Sequence, residues 1–396
     1  MAASSGCVCS WGANSYGQLA LGHKEDQLLP QMVKNCPDRI KCILGGGGHT
    51  AMLLEGGELL MCGSNNKGQL GLGHRRDLTK LVQIPDLPPM QMVACGWDHS
   101  LGVTPMGDLY SWGSNMYGQA AHREKIITKA RKVETFLGKQ IIAVSAGLRH
   151  SLAVTGDGKV WSWGSGKRGQ LGRTPAHGSL AENSDKPEMV DMPDGVRCTK
   201  VAAGAYHSAA LSDEGILYIW GCNRRGQLAE GIFVPESGEG KDMELTPKQI
   251  DPSVFGDRRV TDIYSGWTHM LAVLDDGSVF TWGRNDYGQL GHITEDDKNA
   301  TQEEQANDAS EYTDENICCA TPTEVPSLKE CRQITCGSEH SLAITADNRL
   351  LAWGWNEHGM CADGTETNVK VPKQVLGLEG GSPLLVGSGG SLLLCV

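Results

Sequence analysis

Apolar and small residues in this chain come in short runs cut by glycine-rich turns. Ser151 to Val154 and Val160 to Trp163 flank Gly156-Asp157-Gly158, and similar punctuation sits at Gly56-Gly57, Gly107-Asp108, Glu214-Gly215, Asp276-Gly277 and Asp347-Asn348. Such pairs supply the positive φ angles of tight hairpin turns, so each flanking pair of runs predicts an antiparallel hairpin. Further short segments follow, such as Thr246 to Ile250 and Thr321 to Val325, and the chain returns through Val201 to Gly204 or Ile334 to Gly337. The expected unit has four short strands.

Two signatures fix the phase of that unit. One is Trp-Gly-x-Asn-x-x-Gly-Gln-Leu, seen as Trp11 to Leu19, Trp112 to Gln119, Trp163 to Leu171, Trp220 to Leu228 and Trp282 to Leu290, with worn copies at Cys62-Gly63 and Trp353 to Met360. The other is Gly-x-x-His, ending at His49, His99, His150, His207, His269 and His340, with a degenerate copy ending at Gly390. Each histidine lies 13 residues before the Trp position, or Cys62, that follows it. A fixed offset inside a variable period means one repeated supersecondary unit, and seven four-stranded units predict an all-β, seven-bladed β-propeller spanning 1–396. The last unit stops at Ser391 to Val396 without its partner strand, and the chain opens at Gly6 to Trp11 as a partner strand without its first. The two ends are therefore expected to share the last blade and remove the sheet edges of an open array.

Composition narrows the functional classes. A formal charge of −12 argues against a direct nucleic-acid surface or an anionic membrane surface. No apolar run reaches the ~20 residues of a membrane helix, and no signal peptide is seen at the start. The 14 cysteines lack framework spacing and read as reduced, buried small hydrophobes. The six histidines fall on different blades and are expected to hydrogen-bond backbone of the adjoining blade rather than hold a metal. Gly164 to Arg168 only faintly resembles a phosphate loop, because Trp161 stands at its first glycine position and Arg168 at its hydroxyl position. No cofactor, metal or catalytic constellation is expected, and a monomer is the default.

Function is sought where the repeat is broken. The intervals between successive histidines are 50, 51, 57, 62 and 71 residues, the extra length falling at about 173–186, 229–246 and 292–320. The 292–320 insertion holds nine acidic residues, Glu295, Asp296 and Asp297 among them, against Lys298. It reads equally as a solvated loop or a partner contact. The residues inside Gly-x-x-His also vary, and Trp97, Asp98, Arg149, Tyr206, Trp267 and Glu339 are the candidate partner contacts. Packing between blades is the competing reading of Trp97 and Trp267.

The paired signatures resemble those of the regulator-of-chromosome-condensation repeat family over essentially the whole chain. That resemblance implies a propeller whose prototype exchanges nucleotide on the small GTPase Ran. Closer likenesses at Trp11 to Leu19, Ala94 to Asp98, Ser265 to His269 and Trp353 to Met360 imply a link to secretion through an exocyst-like complex, with cytoplasmic and nuclear residence. The chain departs from the prototype at several points. Met1 to Ser5 carries no basic tail, Arg149 reverses the sign of a family carboxylate, and Asn115 to Gln119 has no room for the family's wedge insertion. Two readings stay open, an exchange factor or regulator of a small GTPase, and an adaptor without exchange activity docking a secretory or chromatin complex. A channel enzyme has no residues to support it. Deleting 385–396 should abolish the cooperative melt rather than trim it, as scanning calorimetry of the truncated chain will show.

Overall fold

The computed structural model describes residues 7–174, 183–229, 243–293, 318–378, 385–389 and 392–395. Its strands pair into seven four-stranded antiparallel sheets. Blade 1 comprises Ile40–Gly45, His49–Leu54, Leu59–Gly63 and Leu78–Gln83, in that order from the centre outward. Blades 2 to 6 repeat the plan, with innermost strands Met92–Cys95, Ile141–Ala146, Cys198–Ala203, Val260–Ser265 and Gln333–Cys336. Neighbouring innermost strands pack together around the ring, and Leu385–Ser388 against Ile40–Gly45 closes it.

The expectation of a seven-bladed propeller, its last blade closed by both chain ends, needs correcting in its blade count, which is six for blades of continuous chain. Only six blades are unbroken runs of chain, and only these six carry a Gly-x-x-His histidine. The remaining sheet is a composite of Leu385–Ser388, Leu392–Cys395, Val8–Gly12 and Gln27–Met32, with Val8 opposite Cys395 and Trp11 opposite Leu392. It exists only when the two chain segments meet, and is called blade 7 below.

Position across the sheet decides which strands are buried. In blade 3, His150–Thr155 and Val160–Gly164 sit in the middle of the sheet and are almost wholly buried, whereas the outermost strand, Ser184–Met189, is largely exposed. The register pairs His150 with Gly164, His99 with Gly113 and His49 with Gly63, which puts the Gly-x-x-His loop and the Trp-Gly turn on one face. The glycine after Trp is obligatory there: Gly113 has φ +98°, and a Cβ would meet the Asp98 carbonyl at 2.6 Å.

Between blades the same acceptor recurs. The Gln69 carbonyl of blade 1 accepts from the Trp112 indole (2.8 Å) and the Ser100 hydroxyl (3.0 Å) of blade 2. Gln119 does so for Trp163 and Ser151, and Gln170 for Trp220 and Ser208. Gln227 accepts from Trp282, Gln289 from Trp353, and the Met360 carbonyl from Trp11. Where Cys62 replaces tryptophan, its thiol approaches the Gln18 carbonyl at 3.5 Å beside the Thr50 hydroxyl at 2.9 Å.

The histidines complete this arrangement, and here the expectation of backbone partners is corrected. His49 Nε2 meets the Ser100 hydroxyl at 3.0 Å, His99 meets Ser151 at 2.8 Å, His150 meets Ser208 at 2.9 Å and His269 meets Ser341 at 3.0 Å, each in the following blade. In the first three pairs the serine donates to the glutamine carbonyl and must accept from Nε2–H, which fixes the tautomer. Met270 stands where His207 would find a hydroxyl, and Ser265 on the next blade's innermost strand takes its place at 3.0 Å. The signature glycine packs flat on the ring: a Cβ on Gly96 would lie 2.3 Å from His99 Cε1.

Burial drives the His49, His150 and His340 rings from 6.5 to about 4, and His99, His207 and His269 to about 3. The unfolded chain therefore takes up protons below pH 6.5 that the folded chain refuses. Stability is full above that value and falls toward pH 4, each ring withdrawing up to about 1.4 kcal/mol per pH unit. Denaturant titrations between pH 7.5 and 5 should show a steep loss; a flat profile would refute neutral buried imidazoles.

Candidate partner-binding face

The face carrying the Gly-x-x-His loops and the Trp-Gly turns surrounds the mouth of the central channel. The loops are tied in sequence around that mouth by main-chain bonds. Gly47 N–H donates to the Gly96 and Trp97 carbonyls, Trp97 to Gly147, Leu148 to Gly204, Ala205 to Trp267, Trp267 to Ser338, and Ser338 to Gly389. Glycines and small residues from every blade, with Trp97 and Trp267, line a cavity of about 440 Å³ that opens to solvent. The side chain at the first variable position is thereby aimed over the mouth.

Trp97 and Trp267 occupy that position in blades 2 and 5, three blades apart around the ring. Their rings meet across the mouth with centroids 4.8 Å apart and planes tilted by 59°. Trp97 remains 42% exposed, so the pair is both a strut and a free apolar surface. The pair therefore packs between blades, as the competing reading held, and does so across the channel rather than between neighbours.

Around the mouth the other candidates separate. Asp98 is half-buried and burial raises its carboxyl above the usual range, with Lys67, Gln119 and Arg149 opposing the rise. Arg149 lies over the Tyr117 ring at 4.7 Å, a cation–π contact that holds the guanidinium at the surface. Tyr206 is half-buried, and its carbonyl accepts from Cys222 N–H.

Glu339 is placed differently from what its sequence position suggests. It is only 6% exposed, and its carboxylate is committed internally. Thr268 Oγ1 donates to both oxygens at 2.8 and 2.9 Å, Gln289 Nε2 donates at 2.8 Å, and Arg284 Nη1 lies 3.6 Å away. Burial raises its proton affinity against the pull of Arg284, Thr268 and Gln289. His269 Nδ1 faces it at 4.0 Å, but burial keeps that ring neutral, so the contact is not an ion pair. Arg284 also binds Asp286 at 2.7 Å and covers Tyr287 at 4.7 Å, and Arg225 approaches Asp286 at 3.8 Å. Glu339 is a structural anchor joining blades 5 and 6, not an exposed contact.

Glu295, Asp296 and Asp297, with most of the 292–320 insertion, lie outside the described residues. Sequence reasoning missed Tyr117, Arg284 and Asp286. Each lies in a Trp-Gly turn, within five residues after its tryptophan, at positions that vary between repeats as freely as those inside Gly-x-x-His.

Among the described residues no group of histidine, cysteine and acidic side chains could hold a metal ion. The RCC1-like domain matches residues 125–395, and the regulator of chromosome condensation (RCC1) repeat matches 5–53 and 56–103. The chain belongs to this family. It is 40% identical to the secretion-regulating guanine nucleotide exchange factor of Mus musculus, over 98% of this chain and 83% of that protein. The Bos taurus protein of the same name is also 40% identical, over 98% and 82%. Among solved structures, Prp20p from Saccharomyces cerevisiae superposes with a TM-score of 0.82 at 24% identity, covering 100% of this chain and 92% of that one.

A double-mutant cycle on Trp97→Ala and Trp267→Ala should return a coupling of about 0.5–1.5 kcal/mol in denaturant unfolding, as expected for an aromatic pair. Strict additivity would show that the rings do not support each other.

Proposed function

We propose that this propeller is a regulator of a small GTPase and promotes nucleotide release through the face around the Trp97–Trp267 pair. The observation that carries the reading is the 40% identity over nearly the full chain to proteins named as secretion-regulating guanine nucleotide exchange factors. Exchange needs no bond-making group. A surface that binds the nucleotide-free GTPase more tightly than the loaded one shifts the equilibrium toward release by that difference alone. An exposed aromatic at the centre with Arg149 beside it has the residue types that dominate protein interfaces. Action in secretion through an exocyst-like complex, residence in cytoplasm and nucleus, and a monomeric state belong to the same reading.

A second reading is favoured by the carboxylates. Glu339 is enclosed and internally bonded, Asp98 is half-buried, and the turn Asn115 to Gln119 is closed by its own bonds, Ala120 N–H to Asn115 Oδ1 and Tyr117 N–H to Gln119 Oε1. A channel mouth whose Gly-x-x-His carboxylates, Asp98 and Glu339, are half-buried or enclosed, beside an Asn115 to Gln119 turn of ordinary length, suits an adaptor that docks a secretory or chromatin complex without regard to nucleotide.

Release of a fluorescent guanine nucleotide from a panel of purified small GTPases separates the two. Acceleration by micromolar propeller, lost in Trp97→Ala/Trp267→Ala, is the expected result. No acceleration on any GTPase, together with a partner that co-purifies irrespective of nucleotide, would replace the first reading by the second.

A further inference from the structure

The Trp-Gly turns place two variable residues at the same point of every blade on the channel-mouth face, and their charges are not evenly spread. Blade 3 presents Lys167 and Arg168, and blade 4 presents Arg224 and Arg225. Blade 5 has Asp286 and Tyr287, blade 6 has Glu357 and His358, and blade 7 has Ser15 and Tyr16. In a chain of net charge −12 these two adjacent turns concentrate basic side chains; Arg225 is partly offset by Asp286 at 3.8 Å, and the charge unpaired among the described residues falls on Lys167 and Arg168.

This basic sector is continuous with the aromatic centre. Trp97 N–H donates to the Gly147 carbonyl, two residues before Arg149, and the Arg149 carbonyl accepts from Ser165 N–H, two residues before Lys167. Arg149 is steadied on Tyr117 at 4.7 Å, and Lys167 is exposed. Lys67, Arg149, Lys167 and Arg168 make no ion pair with a described residue. Among the described residues, the carboxylates placed near the sector include Asp98, which is half-buried, Asp185, whose main chain lies against the Gly118 turn, and Glu244, whose carbonyl lies against the Gly169 turn.

We infer that the sector from Trp97 through Arg149 to Lys167 and Arg168 is a docking site for an acidic peptide segment of another protein, one carrying an apolar side chain to lie on Trp97. The uncommitted cations select negative charge, and the aromatic pair gives the segment a fixed point. A bare polyanion is disfavoured by the chain's net negative charge and by the Asp286 and Glu357 turns on the same face. The inference does not depend on the partner being a GTPase, so exchange activity and peptide binding fail or succeed separately.

The test uses the full chain and a short fluorescein-labelled peptide of alternating aspartate and glutamate around one central tryptophan. Fluorescence anisotropy should show binding that weakens with added salt. Affinity should fall by about tenfold or more in Lys167→Glu/Arg168→Glu and in Arg149→Glu, and stay unchanged in Lys329→Glu on an exposed connection between blades. Melting curves of the variants check folding, and Lys167→Gln/Arg168→Gln replaces the reversal if that one unfolds. Equal binding of the glutamine–asparagine version of the peptide would overturn the proposal. So would equal affinity for a DNA duplex or for vesicles rich in phosphatidylserine. Binding seen only after deletion of 294–317 would make the chain's own acidic segment the occupant and exclude the foreign partner. Concentration-dependent self-association abolished by the same reversals would assign the sector to a second copy of the chain.

Discussion

The carbonyl oxygen of Gln119 accepts both the Trp163 indole and the Ser151 hydroxyl of the following blade, and every other junction of the ring repeats that acceptor with small changes of donor. The oxygen is buried between two sheets, out of reach of water, so losing its donors costs on the order of 1–3 kcal/mol per junction. The donors are in turn held by position. The indole fills the space between blades, and the serine is fixed by the histidine behind it. A tilt of one blade against the next would break all of these contacts together, which is why the sheets sit at one relative angle around the circle.

Much of this was legible in the chain, because the junction recurs and its parts are chemically distinctive. The 13-residue offset between histidine and tryptophan put both on one face, and the register of His150 opposite Gly164 is that offset in three dimensions. The histidine partners were not legible. Ser100, Ser151, Ser208 and Ser341 directly follow histidines and looked like ordinary strand residues, yet they are the hydroxyls that the preceding blade's rings use. The spatial neighbour of a repeat residue is one period away, and only the ring geometry says which side of the period it falls on.

The variable positions were harder still. Trp97, Asp98, Trp267 and Glu339 all occupy freely varying sites, and pattern alone treats them alike. Packing divides them: the two tryptophans reach over the channel and stay accessible, Asp98 is half-covered, and Glu339 is drawn inside by Thr268, Gln289 and Arg284. A carboxylate beside an arginine two strands away leaves no trace in local sequence. The same limit hid the roles of Arg284 and Asp286: they pair within one turn, but their contacts with Glu339 and Arg225 cross blade boundaries.

The composite seventh sheet has a consequence for how the protein is made. Translation delivers Val8–Gly12 well before Leu392–Cys395, so the earlier strand waits unpaired on one side until the six intervening blades have been made. During that wait the nascent arc presents two raw sheet edges to its surroundings. Holding such an intermediate apart from its neighbours is work for a chaperone, and the yield of the protein in a cell should depend on that help more than on the strength of any one blade.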